Sequence, residues 1–305
     1  MGQSATVKRR PSARLISAFA AIYFIWGSTF LAIKYAIATL PPFAMAAMRF
    51  LVAGSVLMIW SLVRSSIRPK PIHWLHAAII GVLMLTIGNG AVVWSELRVS
   101  SGLAALVVSV IPLWVVLMEW LRPGGQQPHG LTFVGVVLGL IGMVLLIGPG
   151  ALRHSGDVDP VAAVVLLAGS LAWSVATVFG RKAAVPGYPP LTSAMQLLGG
   201  AAGLIMVSIV AGEPAQLQRT DFTTQAILAV LYLATFGSIV AFSAYSWLLR
   251  VAQPARIATY AYVNPVVAML LGWVIAGEKL TSTTIVAGCV IPGGVALITT
   301  GINRQ

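Results

Sequence analysis

The sequence predicts an all-α membrane protein of ten transmembrane helices, arranged as a five-plus-five inverted-topology repeat. Three observations lead there. Of the 305 residues, 58% are hydrophobic and only 9% charged, with a mean hydropathy of +0.93, whereas a soluble domain carries about 25% charged residues. Ten apolar stretches follow one another with short polar breaks. The second half repeats landmarks of the first. These features exclude a cytosolic enzyme, a nucleic-acid binder, a disulfide scaffold and a disordered chain.

A bilayer needs roughly 20 apolar residues per helical span. The spans are read at 15–36, 43–63, 74–95, 102–121, 131–148, 160–180, 191–211, 225–248, 256–276 and 283–301. Pro41-Pro42, Pro123-Gly124-Gly125, Gly148-Pro149-Gly150 and Pro189-Pro190 separate several of them, because proline lacks an amide donor and disfavours helix in the residue before it. The apolar runs are too continuous for barrel strands, which alternate with period two. Ten spans leave about 85 residues for two tails and nine connections, too few for a separate soluble domain. Residues 1–14 are read as a tail, 15–150 as the first copy and 158–301 as the second. The single cysteine, Cys289, forms no disulfide or thiolate cluster within the chain and reads as a small packing residue.

Orientation follows from Lys and Arg in the short loops. With the N-terminus in the cytoplasm, 13 basic residues fall inside (Lys8, Arg9, Arg10, Arg14, Arg64, Arg68, Lys70, Arg122, Arg181, Lys182, Arg250, Arg256, Arg304). Four fall outside: Arg98, Arg153, Arg219 and Lys279. Six of the seven acidic residues (Glu96, Asp157, Asp159, Glu213, Asp221, Glu278) lie outside or at outer ends. Both termini are therefore expected in the cytoplasm, and the net charge of +12 is mostly an orientation signal that also suits anionic headgroups. The basic N-terminus is no cleavable signal, because the first apolar stretch runs on through Lys34 to Pro41 without a short core and small-residue cleavage site.

The repeat is visible by eye. An offset of 153 carries Pro112 onto Pro265, Trp120 onto Trp273, Gly135 onto Gly288 and Gly148 onto Gly301. Upstream, Trp26-Gly27-Ser28 parallels Trp173-Ser174-Val175, and Pro41-Pro42 parallels Pro189-Pro190. Five spans per copy is an odd number, so the second copy is inverted relative to the first. Secondary transporters built this way place their substrate site near the midplane between the halves.

Tyr23-Phe24-Ile25-Trp26-Gly27-Ser28-Thr29-Phe30, Ala47-Met48-Arg49-Phe50, Gly88-Asn89-Gly90, Ser100-Ser101-Gly102-Leu103-Ala104-Ala105 and Tyr260-Ala261-Tyr262-Val263-Asn264-Pro265 together resemble the EamA family of the drug/metabolite transporter superfamily, in particular its bacterial inner-membrane exporters. The resemblance covers nearly the whole chain. It implies ten helices around a central cavity, and export of small metabolites, often amino acids including aromatic ones, across the bacterial inner membrane. In one departure, the family's Gly-Glu after the fourth helix of a repeat is present as Gly277-Glu278 in the second copy, while the first has Gly124-Gly125.

Ionisable groups within spans are functional candidates. Lys34 and Arg49 are the two clear cases; each could snorkel to the outer surface or hold a substrate carboxylate. Glu96 and Glu119 sit near helix ends, and Glu96 could pair with Arg49 or Arg98 at the outer surface. Without a mid-span carboxylate to exchange protons for cations, a proton-driven cationic-drug pump is disfavoured and facilitated diffusion of a neutral, zwitterionic or weakly anionic solute is expected. Pockets combine aromatic walls with a few hydrogen-bonding groups, which selects Trp26, Ser28, Asn89, Trp94, Trp173, Gln196, Tyr245, Tyr260 and Asn264 beside Lys34 and Arg49. Trp and Tyr near span ends also form interfacial belts, and Asn89 and Asn264 could equally bond across helices. Pro112 and Pro265 are candidate hinges or static bends. Gly135-x-x-x-Gly139, Gly288 and Gly293-Gly294 fit close helix packing, within one chain or in a homodimer.

No Walker motif, zinc-protease spacing or nucleophile–base pair is found, so no cofactor, metal or ATP is expected. The partners expected are a small-molecule substrate and membrane lipids, not nucleic acid, with the chain a monomer or homodimer. The expectation is a secondary transporter working by alternating access, exporting aromatic or other apolar amino acids. A proton-coupled drug or nucleotide-sugar-type carrier is the alternative, and a membrane-embedded enzyme the competing class.

Overall fold

The structure, a computed structural model, describes residues 13–121, 130–147, 159–252, 257 and 259–302. The basic cluster Lys8-Arg9-Arg10, the breaks Pro123-Gly124-Gly125 and Gly148-Pro149-Gly150, and His129, His154, Arg153, Asp157, Arg256 and Arg304 lie outside the described residues.

Long helices account for nearly all of the described chain. They are α1 (Ala13–Ile37), α2 (Pro42–Arg64), α3 (Pro71–Ser95), α4 (Ser101–Leu121), α5 (Leu131–Ile147), α6 (Pro160–Gly180), α7 (Pro189–Val210), α8 (Thr224–Val251), α9 (Tyr260–Ala276) and α10 (Ser282–Ile302). Seven of them, α1–α4 and α6–α8, are long and apolar enough to cross a membrane. The stretches Leu131–Gly142, Tyr260–Ala276 and Thr284–Ile298 are shorter apolar helices. Against the sequence expectation, α3 begins earlier, at Pro71, and α9 later, at Tyr260.

The helix starts are written in the sequence. Proline opens α2, α3, α6 and α7, where its missing amide costs no hydrogen bond. Ser100 caps α4 by accepting from Leu103 N, Thr223 caps α8 by accepting from Ala226 N, and Asp159 caps α6 by accepting from Val161 N and Ala162 N, so orphan amides of the first turns are satisfied.

Three helices carry π-helical segments: Ala21–Ile25 in α1, Val82–Asn89 in α3 and Leu233–Val240 in α8. The latter two are eight residues long each and lie inside helices five apart in chain order. A π segment adds a residue to a turn and leaves carbonyls out of the ordinary ladder, a feature often found at functional sites. In α4 the helix is interrupted at Ser109-Val110, just before Pro112, whereas α9 runs through Pro265.

Helix neighbours mirror each other. α2 packs on α7, α5 on α10 and α4 on α9, each pair lying five helices apart in chain order. α3 lies against α6 and α7, and α8 correspondingly against α1 and α2. The seam between α5 and α10 is made of small residues: a Cβ on Gly135 would sit 2.5 Å from Gly294 O, and one on Gly294 would sit 2.9 Å from Gly139 N. The Gly135-x-x-x-Gly139 face is thus used inside the chain, by close backbone approach.

The loops fall into two ends. One end gathers Arg14, Arg64, Arg68, Lys70, Arg181, Lys182 and Arg250, with Arg14 over the Trp247 ring at 4.8 Å. The other gathers Glu96, Asp159, Glu213, Asp221 and Glu278 with Arg98, Arg219 and Lys279.

Candidate functional site: an aromatic cavity with a buried arginine

α1, α2, α3, α4, α6, α7, α8 and α9 line a cavity of about 90 Å³, room for several waters or a small solute. Its walls are mostly apolar and aromatic, including Trp26, Phe30, Phe50, Trp173, Phe242 and Tyr260. Trp26 is the centre of the aromatic cluster. Its ring lies 6.1 Å from Trp173 edge-on, 5.3 Å from Tyr260 edge-on and 5.1 Å from Tyr245. Edge-to-face contacts at these separations fit the ring quadrupoles. The Trp26 indole N–H donates to Gly237 O at 3.2 Å, a carbonyl within the α8 π segment.

Arg49 supplies the charge. It is 4% exposed, far from snorkelling to the surface. Its Nε donates to Ser238 Oγ at 2.8 Å, and the guanidinium carbon sits 4.7 Å from the Phe50 ring centroid. Ser238 Oγ in turn donates to Leu233 O, five residues back and 3.1 Å away, so the π segment builds the support of the arginine. Arg49 Nη1 is buried with no hydrogen-bond partner among the described residues. A buried donor of this kind is costly unless something pairs with it. Asn89 Oδ1, at the end of the α3 π segment, is likewise buried without a partner. Trp173 Nε1 is a further buried donor without a hydrogen-bond partner among the described residues. A cationic donor, an amide acceptor and aromatic faces therefore share one apolar space.

Of the residues selected from sequence, Trp26, Arg49, Asn89, Trp173, Tyr260 and Asn264 line the cavity. Asn264 is committed to structure: with its amide nitrogen turned to α1, it donates to Ile22 O at 3.1 Å and Tyr23 O at 2.9 Å, carbonyls of the α1 π segment. Tyr245 is buried behind Trp26, in a second layer. Ser28, Lys34, Trp94 and Gln196 lie elsewhere. Ser28 Oγ bonds the Tyr232 hydroxyl at 2.6 Å, joining α1 to α8. The Trp94 ring carries the Arg98 guanidinium at 3.9 Å. Gln196 is buried on α7, where its carbonyl abuts Gly81 of α3. Pro112 is buried beside the Ser109-Val110 break, next to the lining residues Val108 and Ile111, and Pro265 is buried in the first turns of α9. Sequence reasoning passed over Ser170 and Ser238, two of the hydroxyl-bearing residues of the lining. A lone serine in an apolar helix reads as packing, and nothing local marked these two.

The acidic end holds a second constellation. The sequence left Lys34 without a counter-ion; the structure supplies one, Glu278 Oε1 at 2.6 Å. Glu278 is placed by its own turn. Gly277 adopts φ 62° and ends α9, and Gly277 N and Glu278 N both bond back to Gly272 O, the latter at 3.0 Å, so a left-handed glycine closes the helix end. The carboxylate then meets the start of α4, accepting from Ser101 N at 3.0 Å, Ser101 Oγ at 2.9 Å and Gly102 N at 3.4 Å. A helix N-terminus is a natural anion site. Gly272 leaves the room for it, since a Cβ there would collide with Glu278 Oε2. One side chain thus ties α1, α4 and the end of α9 together. Burial pushes the Glu278 carboxyl up, but the hydrogen bonds from Lys34 and Ser101 outweigh it and hold the group below the usual carboxylate range.

Glu96, expected at the outer surface, is instead 4% exposed. Arg98 is not its partner: that guanidinium lies 3.4 Å from Asp159. Neither carboxyl oxygen of Glu96 has a hydrogen-bond partner among the described residues. Burial pushes its carboxyl well above the usual range, the nearby Glu278 pushes the same way, and Lys34 and Arg49 oppose both.

A bundle of apolar, membrane-length helices around an amphipathic cavity has the build of a small-molecule membrane transporter, and similarity to known proteins gives the family. The EamA-like transporter family matches residues 14–148 and again residues 160–300. The chain belongs to the EamA-like transporter family. It is 39% identical over 289 residues to the uncharacterized inner membrane transporter YedA of Escherichia coli K12, covering 94% of this chain and 91% of that protein. An uncharacterized transporter of Archaeoglobus fulgidus is 25% identical over 276 residues, covering 90% of this chain and 93% of the other. A solved crystal structure shares the fold with a TM-score of 0.63 at 24% identity, over 97% of this chain and all of that one.

Proposed function

We propose that the protein is a ten-span secondary transporter that moves small amphipathic carboxylates, foremost aromatic or other apolar amino acids, out across the bacterial inner membrane by alternating access. The observation that carries the substrate class is the buried, unpartnered Arg49 Nη1 in an aromatic cavity. A free guanidinium N–H is matched by a carboxylate oxygen, and Trp26 and Trp173 suit a flat apolar body. Asn89 Oδ1 offers an acceptor to an ammonium group.

The five-plus-five inverted repeat is supported by the two successive family matches, the paired π segments of α3 and α8, and the exchange of helix neighbours between copies. Cytoplasmic termini are supported by the basic end that Arg14 joins through Trp247, under the positive-inside rule; the Glu278 end is then outside. YedA's description as an inner membrane transporter supports the location. Among the described residues no group of metal-binding side chains occurs, and a cavity lined by a cation and aromatic rings favours transport over the enzyme alternative.

The test is counterflow in proteoliposomes with a panel of labelled amino acids. Exchange of at least one aromatic or branched amino acid is expected. Arg49→Gln, Trp26→Ala and Trp173→Ala should each cut it without loss of folded protein. Equal rates in all three variants would reject the cavity as the path, and exchange only of cationic solutes would reject the substrate class.

A further inference from the structure

At the acidic end, Glu96 is, among the described residues, the buried carboxyl without a structural role. Asp159 caps α6, Glu213 accepts from Phe43 N at 3.1 Å and Ala44 N at 2.7 Å at the start of α2, and Glu278 holds the start of α4. Glu96 caps nothing, meets no donor, and is as buried as Arg49. An ionised carboxylate without hydrogen bonds is the costliest state a buried side chain can occupy; a protonated one is far cheaper. The charged groups within its electrostatic reach are Arg49 from α2, Lys34 from α1 and Glu278 from the turn after α9. From α6, Asp159 is held by Arg98.

We propose that the Glu96 carboxyl is a proton-binding site that sets the state of the Lys34–Glu278 latch. With the proton bound, Glu96 makes no demand on the cations, Lys34 stays on Glu278, and α1, α4 and the end of α9 stand tied as seen here. On release of the proton to water at that end, the new carboxylate repels Glu278 and draws Lys34 and the free Nη1 of Arg49. Lys34 is shared between two carboxylates that cannot both keep it, and its loss from Glu278 unties α1 from α4. Arg49 also lines the cavity, so the same ionisation competes with a bound solute carboxylate for one guanidinium. The link to solute release rests on the transport reading above; the proton site itself does not.

The experiment uses the full chain reconstituted in phosphatidylethanolamine–phosphatidylglycerol vesicles. Infrared pH-difference spectra should show the carbonyl stretch of a protonated carboxylic acid persisting at neutral pH and missing in Glu96→Gln. The latch is read with Val99→Cys, a buried position between Glu96 and Ser101, in a Cys289→Ser background because Cys289 is exposed. Maleimide labelling, corrected against a free thiol, should rise with pH as the carbonyl band is lost, by about tenfold per pH unit below the midpoint, following the ionised fraction. In Glu96→Gln it should stay flat, and in Glu96→Asp both readouts should shift together. Absence of the band at neutral pH in the unsubstituted chain, its survival in Glu96→Gln, or a labelling profile unaltered by that change would overturn the proposal. Failure of counterflow with every solute would count against the transport reading alone, since neither readout needs a substrate.

Discussion

Glu278 and Glu96 occupy the same end of the bundle, both largely out of water, and their surroundings are opposite. Glu278 receives Lys34 and three donors from the start of α4; Glu96 receives none. The difference comes from local backbone. A left-handed glycine and the turn it closes after α9 aim Glu278 at a helix N-terminus, while Glu96 follows the last turn of α3 directly, its N–H bonded to Val92 O at 3.0 Å. Burial alone does not fix what a carboxylate does. The donors that its turn brings to it decide between a structural tie and a group that holds a proton.

The comparison is broken most severely by Glu278→Gln. Losing the charge-assisted bonds should cost about 2–3 kcal/mol near neutral pH, discounted because Lys34 is partly exposed and water can replace its partner. Thermal unfolding followed by tryptophan fluorescence reads this. Because the folded-state pKa of Glu278 is lowered, its contribution is present above the ordinary carboxylate value of about 4.3 and is lost as pH falls through the lowered value. The gap between the two proteins should therefore close in acid. Gly272→Ala comes next, at about 1–3 kcal/mol, since its methyl must displace the Glu278 carboxylate. Ser101→Ala removes one hydroxyl and leaves the backbone donors, so about 1 kcal/mol is expected. Glu96→Gln is the smallest in acid and of opposite sign at higher pH. Its raised pKa means the stability from the bound proton is lost as pH rises through that value, so the glutamine variant should gain on the unsubstituted chain with increasing pH. A constant difference across pH would mean that Glu96 does not hold a proton in the folded state.

Much of the fold was legible from periodicity and punctuation. Pro42 and Pro189, read as breaks, open helices as their chemistry requires, Pro71 does so three residues ahead of the expected start of α3, and the apolar runs became helices within a few residues of the expected bounds. The site was legible where repeat symmetry and charge spoke together, as for Trp26, Trp173 and Arg49. It was illegible where long-range pairing decided. Lys34 and Glu278 are 244 positions apart, and no local pattern links them. The π segments left no mark either: Val82–Asn89 and Leu233–Val240 read as ordinary apolar helix, yet they place Asn89, Gly237 and Ser238 in the cavity wall. Ser28 misled because its neighbour Trp26 points to the cavity while Ser28, further round α1, faces Tyr232.

The most direct test of the cavity as a solute path is sidedness at its wall. Val108→Cys in the Cys289→Ser background puts a thiol among the lining residues, away from the polar network. A membrane-impermeant maleimide should reach it from either face of sealed vesicles, and a transported amino acid should protect it from both. Labelling from one face only, with no protection by any solute that the protein exchanges, would contradict the account.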